Sequence, residues 1–341
     1  METRKHIYYI DALRTLACIA VITIHVSANL LPTVDIQNHH FVYLATLNSL
    51  ARFAVPLFFM IYGAVQLNKP ICFCRAKKRA LGFLLLFFVF GVIEALPILI
   101  SKNPIGEMGL LKSFVWKMTS NTSYRWFLLC MVSIQLLLPF IQALCQKPNY
   151  VKNALGIFAL MGILPYTLSL LPKLSILEHF TQGFGFTSTL LQAIFFCLLG
   201  HALHAKQDVF LTNKTKYTWA SLALWLISGL VLCSVSIVAS RQKEVFYTAM
   251  VEYFSLPLIL NTLALYMLGL LHFQKPNKAL HFIAKQSLFI YLLHLPVLLY
   301  LFLLPMGNIV VYSLEMLALC FTLSLLISLP LQWLWNKNKL H

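Results

Sequence analysis

IYYIDALRTLACIAVITIHVSANLL, residues Ile7–Leu31, decides the fold. An α-helix needs about 20 predominantly apolar residues to cross the hydrocarbon core of a bilayer, and this stretch is long enough. Its apolar run is interrupted by Asp11, Arg14 and His25. Those residues, and the lack of a clean small-residue cleavage site after the run, argue against a removable signal peptide. The segment reads as a retained membrane span that carries charge.

Working outward, the same kind of block recurs along the whole chain. The sequence has 341 residues, 60% hydrophobic and 11% charged. A soluble domain carries about a quarter charged residues, so one water-soluble core is excluded. After the first block, nine more are expected: Phe41–Leu67, Ala80–Ile100, Trp126–Leu144, Val151–Leu171, Thr189–His204, Tyr217–Ala239, Ala249–Leu271, Ser287–Leu304 and Ile309–Leu334. The longest loops, Ser101–Ser123 and Pro172–Ser188, are too short to fold alone. The expected fold class is all-α: a polytopic transmembrane helical bundle of about ten spans, read as a single domain over residues 1–341. No internal repeat or linker interrupts it.

The net charge of +16 raises the question of nucleic acid. The distribution answers it. Arg4, Lys5, Lys69, Arg75, Lys77, Lys78 and Arg79 fall at the N-terminus and in the second loop. Lys147, Lys152, Lys206, Lys214, Lys216, Lys275, Lys278, Lys285, Lys337 and Lys339 fall in later loops of the same alternating set or at the C-terminus. The opposite set carries only Lys102, Lys112, Lys117, Arg125, Lys173, Arg241 and Lys243. This is the positive-inside pattern, so both termini are expected in the cytoplasm and no nucleic-acid partner is implied. Five of the eight cysteines, Cys18, Cys130, Cys197, Cys233 and Cys320, lie in apolar blocks and read as small core residues. Cys72 and Cys74 have too few ligands nearby for a metal site, and no metal is expected.

The informative residues are the charges at membrane depth, each of which costs about 2.5–3.5 kcal/mol on insertion scales unless the protein interior receives it. Arg14 and His25 are eleven residues apart. At 100° and 1.5 Å per residue they lie within about 20° of each other around the helix and about 16 Å apart along it. Asp11 sits one turn before Arg14 and can pair with it at the membrane boundary. His25 reaches the outer half of the bilayer, where a titratable group can act as a proton acceptor or simply pack as a hydrogen-bonded histidine. Arg52, in the second block, returns to a similar depth, and Pro56 below it frees backbone groups that a cavity-lining helix tolerates. Glu94, in the outer half of the third block, is a candidate counter-ion for Arg52 or a residue that orients His25. His294 is a further intramembrane histidine, and Glu315 in the last block reads as structural. His201 and His204 read as interfacial caps. Arg75, Lys78 and Arg79 put more charge at the cytoplasmic mouth than topology needs, which suits anionic lipid or the phosphates of a nucleotide.

These same residues carry a resemblance. Tyr9-Ile10-Asp11-Ala12-Leu13-Arg14 followed by ten residues and His25 resembles the opening of the acyltransferase 3 family. RFAVPLFFMIYG, Arg52–Gly63, resembles its second helix, with Tyr62 where the family has Ser. Arg75-x-x-x-Arg79 resembles its cytoplasmic Arg-x-x-Arg element at altered spacing. Arg125-Trp126-Phe127-Leu128 is similar to its Leu-Trp-Phe segment, and Tyr291-Leu292-Leu293-His294 to its late Tyr-Leu-x-His segment. The resemblance runs from the first block to the ninth. It implies a membrane-bound O-acyltransferase that moves acetyl from acetyl-CoA, used as a substrate with no metal or prosthetic group, to hydroxyls of surface glycans. The all-membrane form is most like bacterial enzymes that O-acetylate surface polysaccharide units, enterobacterial common antigen among them, which implies the inner membrane. On this reading His25 is base or acyl carrier, with Asp11, Arg14 and Arg52 in the catalytic set. Arg75, Lys78 and Arg79 bind the donor, and Glu94, Trp126 and His294 are further candidates. Acyl-CoA, a glycan acceptor and membrane lipids are the expected partners. The rival class is a secondary transporter or flippase for a glycan precursor or small anionic substrate.

Overall fold

The computed structural model describes residues 6–337 apart from 104, 121–123, 172, 173, 175, 184, 186 and 187. Arg4, Lys5, Lys173 and Lys339, counted in the charge asymmetry, lie outside the described residues, as does part of each long loop. The described chain is helical, with no strand. In order come α1 (Tyr8–Leu30), α2 (His39–Ala51), α3 (Ala54–Gln66), α4 (Phe73–Ser101), α5 (Leu110–Thr119), α6 (Trp126–Cys145), α7 (Pro148–Phe158) and α8 (Leu164–Ser169). These are followed by α9 (Leu177–Gly183), α10 (Thr189–Ala205), α11 (Gln207–Thr212), α12 (Lys214–Lys243), α13 (Leu256–His272), α14 (Lys278–Leu301) and α15 (Ile309–Lys337).

Among the described residues, nine helical stretches are long and apolar enough to cross a membrane, and Thr189–Ala205 is a shorter apolar helix. The chain is a multi-pass membrane protein with an all-α fold. Its outward faces agree: Leu226, Ile227 and Leu230 on α12 and Leu314, Leu326 and Ile327 on α15 are exposed. Water would not tolerate such continuous apolar faces, whereas lipid requires them.

The boundaries depart from the sequence reading in instructive ways. The second span is two helices, α2 and α3, with Arg52 and Phe53 between them. Pro56 has no N–H to give to the Arg52 carbonyl and its ring crowds that carbonyl, so the chain breaks there and restarts with Leu57 N–H bonded to Phe53 O at 2.9 Å. The third span begins earlier than expected, so Arg75–Arg79 is helical rather than a loop. Lys214, Lys216 and Lys278 likewise stand on helix ends, and Lys285 lies about two turns inside α14. The two long loops each contain a short helix, α5 and α9.

The chain divides into two compact units, Lys69–Gln146 and the remainder. In the smaller one, α4 packs against α5 and α6. In the larger, α1 is central and packs against α2, α3, α13, α14 and α15, while α3 packs against α10 and α12 against α13. The α3–α10 contact is made at the backbone: a Cβ on Gly63 would sit 1.9 Å from Cys197 O, and one on Gly200 would sit 2.0 Å from Met60 O. Small residues let apolar helices approach closely enough for dispersion to hold them where no hydrophobic effect operates.

Candidate functional site

The central position of α1 makes it the element from which the site is built. His25 projects from its second half and is half-buried. The ring of His294, on α14, lies 4.9 Å from the His25 ring, centroid to centroid, and is fully buried. His294 Nδ1 donates to the Tyr291 carbonyl one turn back, which places the lone pair of the neutral ring on Nε2. Two imidazoles that sequence separates by most of the chain therefore meet in the helix core.

Arg52 is brought to the same place by the helix break. It lies within electrostatic reach of His25, Glu252 and Tyr253. Its Nε donates to Asn48 Oδ1 at 3.0 Å. The Asn48 amide in turn donates to Ile24 O at 3.1 Å and Ser27 Oγ at 2.9 Å, both beside His25 on α1. Asn48 is fully buried and ties the guanidinium to the backbone that carries the histidine. A charged donor held by two helices, next to a pair of imidazoles, can orient a polar substrate atom, stabilise developing negative charge and accept a proton.

The counter-charge expected for Arg52 is provided differently. Glu94 gives its carboxylate to Arg125, with Nε 3.2 Å from Oε2, and Lys117 Nζ is 3.9 Å from the same oxygen. The acidic residue within reach of Arg52 is Glu252, which the sequence reading did not single out. Arg125, expected in an outer loop, is fully buried. It donates to Lys117 O at 2.6 Å, Met118 O at 2.8 Å and Phe87 O at 3.4 Å, and lies over the Phe87 ring. Lys117 O and Met118 O are among the last carbonyls of α5, which have no partner within their own helix, so Arg125 caps that helix and supplies the cation its C-terminus favours. Gly91 makes room: a Cβ there would lie 2.3 Å from Met118 O and 2.6 Å from Arg125 Nη1. Glu94 and Arg125 thus hold α4, α5 and α6 together. Trp126, next in the chain, is partly buried and meets Phe127 edge-on.

At the other end of α1, no ion pair joins Asp11 to Arg14 among the described residues. Asp11 is buried, and its Oδ2 accepts from His6 Nε2 at 2.6 Å and His281 Nδ1 at 2.9 Å. Arg14 is partly accessible. Close by, Tyr9 hydrogen-bonds His204 Nδ1 at 2.7 Å and the Tyr266 hydroxyl at 3.0 Å. Glu315 is exposed on α15.

Arg75, Lys78 and Arg79 are exposed at the start of α4. With the segment helical, Arg75 and Arg79 stand one turn apart on one face with Lys78 beside them. The Cys72 side chain makes no capping hydrogen bond there. Basic side chains in a first turn oppose the helix dipole, and an anion relieves both the dipole and the like charge.

A multi-pass helical protein whose core gathers imidazole, guanidinium and carboxylate around one central helix is a membrane protein built for chemistry on a polar group. The acyltransferase-domain pattern matches residues 7–334, nearly the whole sequence, and the chain belongs to the acyltransferase 3 family. It is a membrane acyltransferase. Among curated proteins and among solved structures, nothing matches it.

Proposed function

We propose that this acyltransferase moves an acyl group, acetyl in the first instance, from cytoplasmic acyl-CoA to a hydroxyl of a surface polysaccharide or lipid-linked glycan unit at the bacterial inner membrane, with both termini in the cytoplasm. The observation that carries the reading is the convergence of His25, His294 and Arg52 beside α1, in a chain whose family transfers acyl groups.

As a base, His25 takes the proton of the acceptor hydroxyl while its oxygen attacks the thioester carbonyl. The C–S bond then breaks, and coenzyme A leaves as the thiol once it regains that proton. As an acyl carrier, His25 first forms the acyl bond itself and releases the thiol, and the hydroxyl attacks in a second step. In both, Arg52 faces the carbonyl oxygen as it gains charge. Asn48 positions Arg52, and His294 packs against the His25 ring. Arg14 and Asp11 belong to the opposite end of the same helix, on the side from which the donor enters. Arg75, Lys78 and Arg79 suit the phosphates of the donor, for which guanidinium forks are well matched. Acetyl-CoA is the only small-molecule requirement of this chemistry.

The break between α2 and α3 favours one other reading, a transporter or flippase, since discontinuous helices line many transport sites. One experiment separates the two. Proteoliposomes are given acetyl-CoA labelled in the acetyl group and a glycan-lipid acceptor. Label in the glycan with stoichiometric free thiol supports the transferase, and transport of intact substrate without thioester loss supports the rival. Replacing Arg75 and Arg79 with Gln should raise the KM for acetyl-CoA while leaving insertion intact. An unchanged KM would remove these residues from the donor site.

A further inference from the structure

The acyl-transfer steps described above place no bond change at the group around Asp11. His6 lies just before α1, Asp11 in its first turn and His281 in the first turn of α14. One donor atom from each, His6 Nε2, Asp11 Oδ2 and His281 Nδ1, lies within 4.8 Å of the other two. The two imidazole rings meet edge-on with centroids 4.8 Å apart. Asp11 is buried at 5% exposure, whereas the His6 side chain is 40% accessible. The His281 side chain is equally accessible at 40%, so the carboxylate is a fixed anchor carrying two accessible imidazoles.

We propose that His6, Asp11 and His281 form a three-ligand site for a divalent transition-metal ion of the zinc type. The chemistry of the donors selects the class. Imidazole nitrogen with a single carboxylate suits zinc and its neighbours, while calcium and magnesium prefer sets of oxygen ligands. The geometry fits with small movements. Bonds of about 2.0–2.2 Å to a tetrahedral ion place ligand atoms about 3.3 Å apart. The separations of 2.6 and 2.9 Å from Asp11 open slightly, and the two nitrogens close from at most 4.8 Å. His6 lies outside the helix, so its backbone is free to make that adjustment. Each imidazole now points a ring nitrogen at the carboxylate. Moving the ring proton to the other nitrogen exposes the lone pair a metal needs, with no net charge change in the ring.

Three protein ligands leave a fourth position on the accessible side, filled by water in such sites. Asp11 is fourteen residues from His25, about 21 Å along α1, so the ion cannot take part in chemistry there. Its effect is mechanical: it ties the segment before α1 and the start of α14 to the buried carboxylate of the central helix.

The test uses the full chain in detergent, carrying a tag without histidine and stripped with a chelator. Zinc is titrated by calorimetry, and cobalt serves as a spectroscopic substitute whose visible bands report nitrogen and oxygen ligation. The expected result is one ion per chain and a higher unfolding temperature with zinc. Outer-sphere partners alone are worth about 10–100-fold in metal affinity, so losing a direct ligand in His281→Ala or His6→Ala should cost at least about 100-fold. Asp11→Asn should do the same. Absence of saturable binding to the unaltered chain would leave a hydrogen-bonded triad and overturn the proposal. Binding that survives in the His6→Ala/His281→Ala double variant would assign the ion to other histidines and overturn it equally. The outcome is independent of acyl transfer, since each readout is made without donor or acceptor.

Discussion

Arg125→Met removes a side chain that joins α4, α5 and α6, and its cost can be worked from the contacts. Arg125 is fully buried, pairs with Glu94 at 3.2 Å and donates to two carbonyls at the end of α5. Removing one partner of a buried ion pair costs about 3–5 kcal/mol because the other charge is left behind. Lys117 remains 3.9 Å from Glu94 and offsets part of that, so the lower end applies. About 3 kcal/mol corresponds to about a 150-fold increase in the population of opened α6. Cys130, buried five residues further along α6, is a native reporter of that opening. Its alkylation is followed peptide by peptide by mass spectrometry, with exposed Cys72 and Cys74 as internal references. Arg125→Met should accelerate Cys130 labelling by about two orders of magnitude. Arg125→Lys should fall between, because a compact ammonium with three donors cannot span the four acceptors that the guanidinium reaches. Glu94→Gln combined with Arg125→Met should recover part of the loss, since no buried charge is then uncompensated. Wild-type labelling in Arg125→Met would refute the argument, as would a double variant that opens faster than the single one.

Two further outcomes follow from contacts already described. Asn48→Leu leaves the Arg52 guanidinium without its acceptor, and a hydrogen bond to a charged group is worth about 1.5–3 kcal/mol, so kcat should fall about 10–150-fold at nearly constant KM for acyl-CoA. Asn48→Asp keeps the acceptor for Arg52 but loses the amide's bond to Ile24 O, so it should recover part of that rate; equal loss in both variants would show that the bond to Arg52 does not matter. Gly200→Ala would drive a Cβ to within 2.0 Å of Met60 O and should sharply lower the folded yield in detergent, whereas Gly156→Ala, with nothing within 4 Å, should be neutral or slightly stabilising. Equal yields for the two, measured by size-exclusion chromatography, would contradict the close α3–α10 contact.

The all-α membrane fold was legible because apolar blocks of helix length are an unambiguous pattern, and every expected block contains a helix. What the pattern hid is local. Pro56 was visible, but a block of uniform hydropathy looks continuous, and only the lost bond to the Arg52 carbonyl breaks it. Arg75–Arg79 looked like a loop because charge ends a hydropathy block, although charge does not end a helix. Arg125 was counted as an outer-loop cation, and the signal that would have corrected this is Glu94, an opposite charge at matching depth in the neighbouring span of the same short hairpin.

Within the site, Arg14, His25 and Arg52 stood out because a charge in lipid is expensive wherever it sits. Asn48, Glu252 and His281 did not. Asn48 is neutral, Glu252 lies just before α13 at the edge of its block, and His281 is separated from Asp11 by 270 residues. Periodicity reports what shares a face of one helix, and these residues act across helices. His294 stood out only as a further intramembrane candidate, and its meeting with the His25 ring across α1 and α14 is visible in the structure alone.

The central claim is that His25 carries out proton or acyl transfer. It is tested most directly by turnover per folded molecule in His25→Ala and His25→Gln, each corrected for properly inserted protein. Glutamine keeps a hydrogen-bonding side chain of similar reach but cannot take a proton or hold an acyl group. Both variants should lose activity by about 10²–10⁴-fold while inserting and binding coenzyme A like the parent. Near-parental turnover in His25→Gln, with loss only in His25→Ala, would show a packing histidine and contradict the assignment.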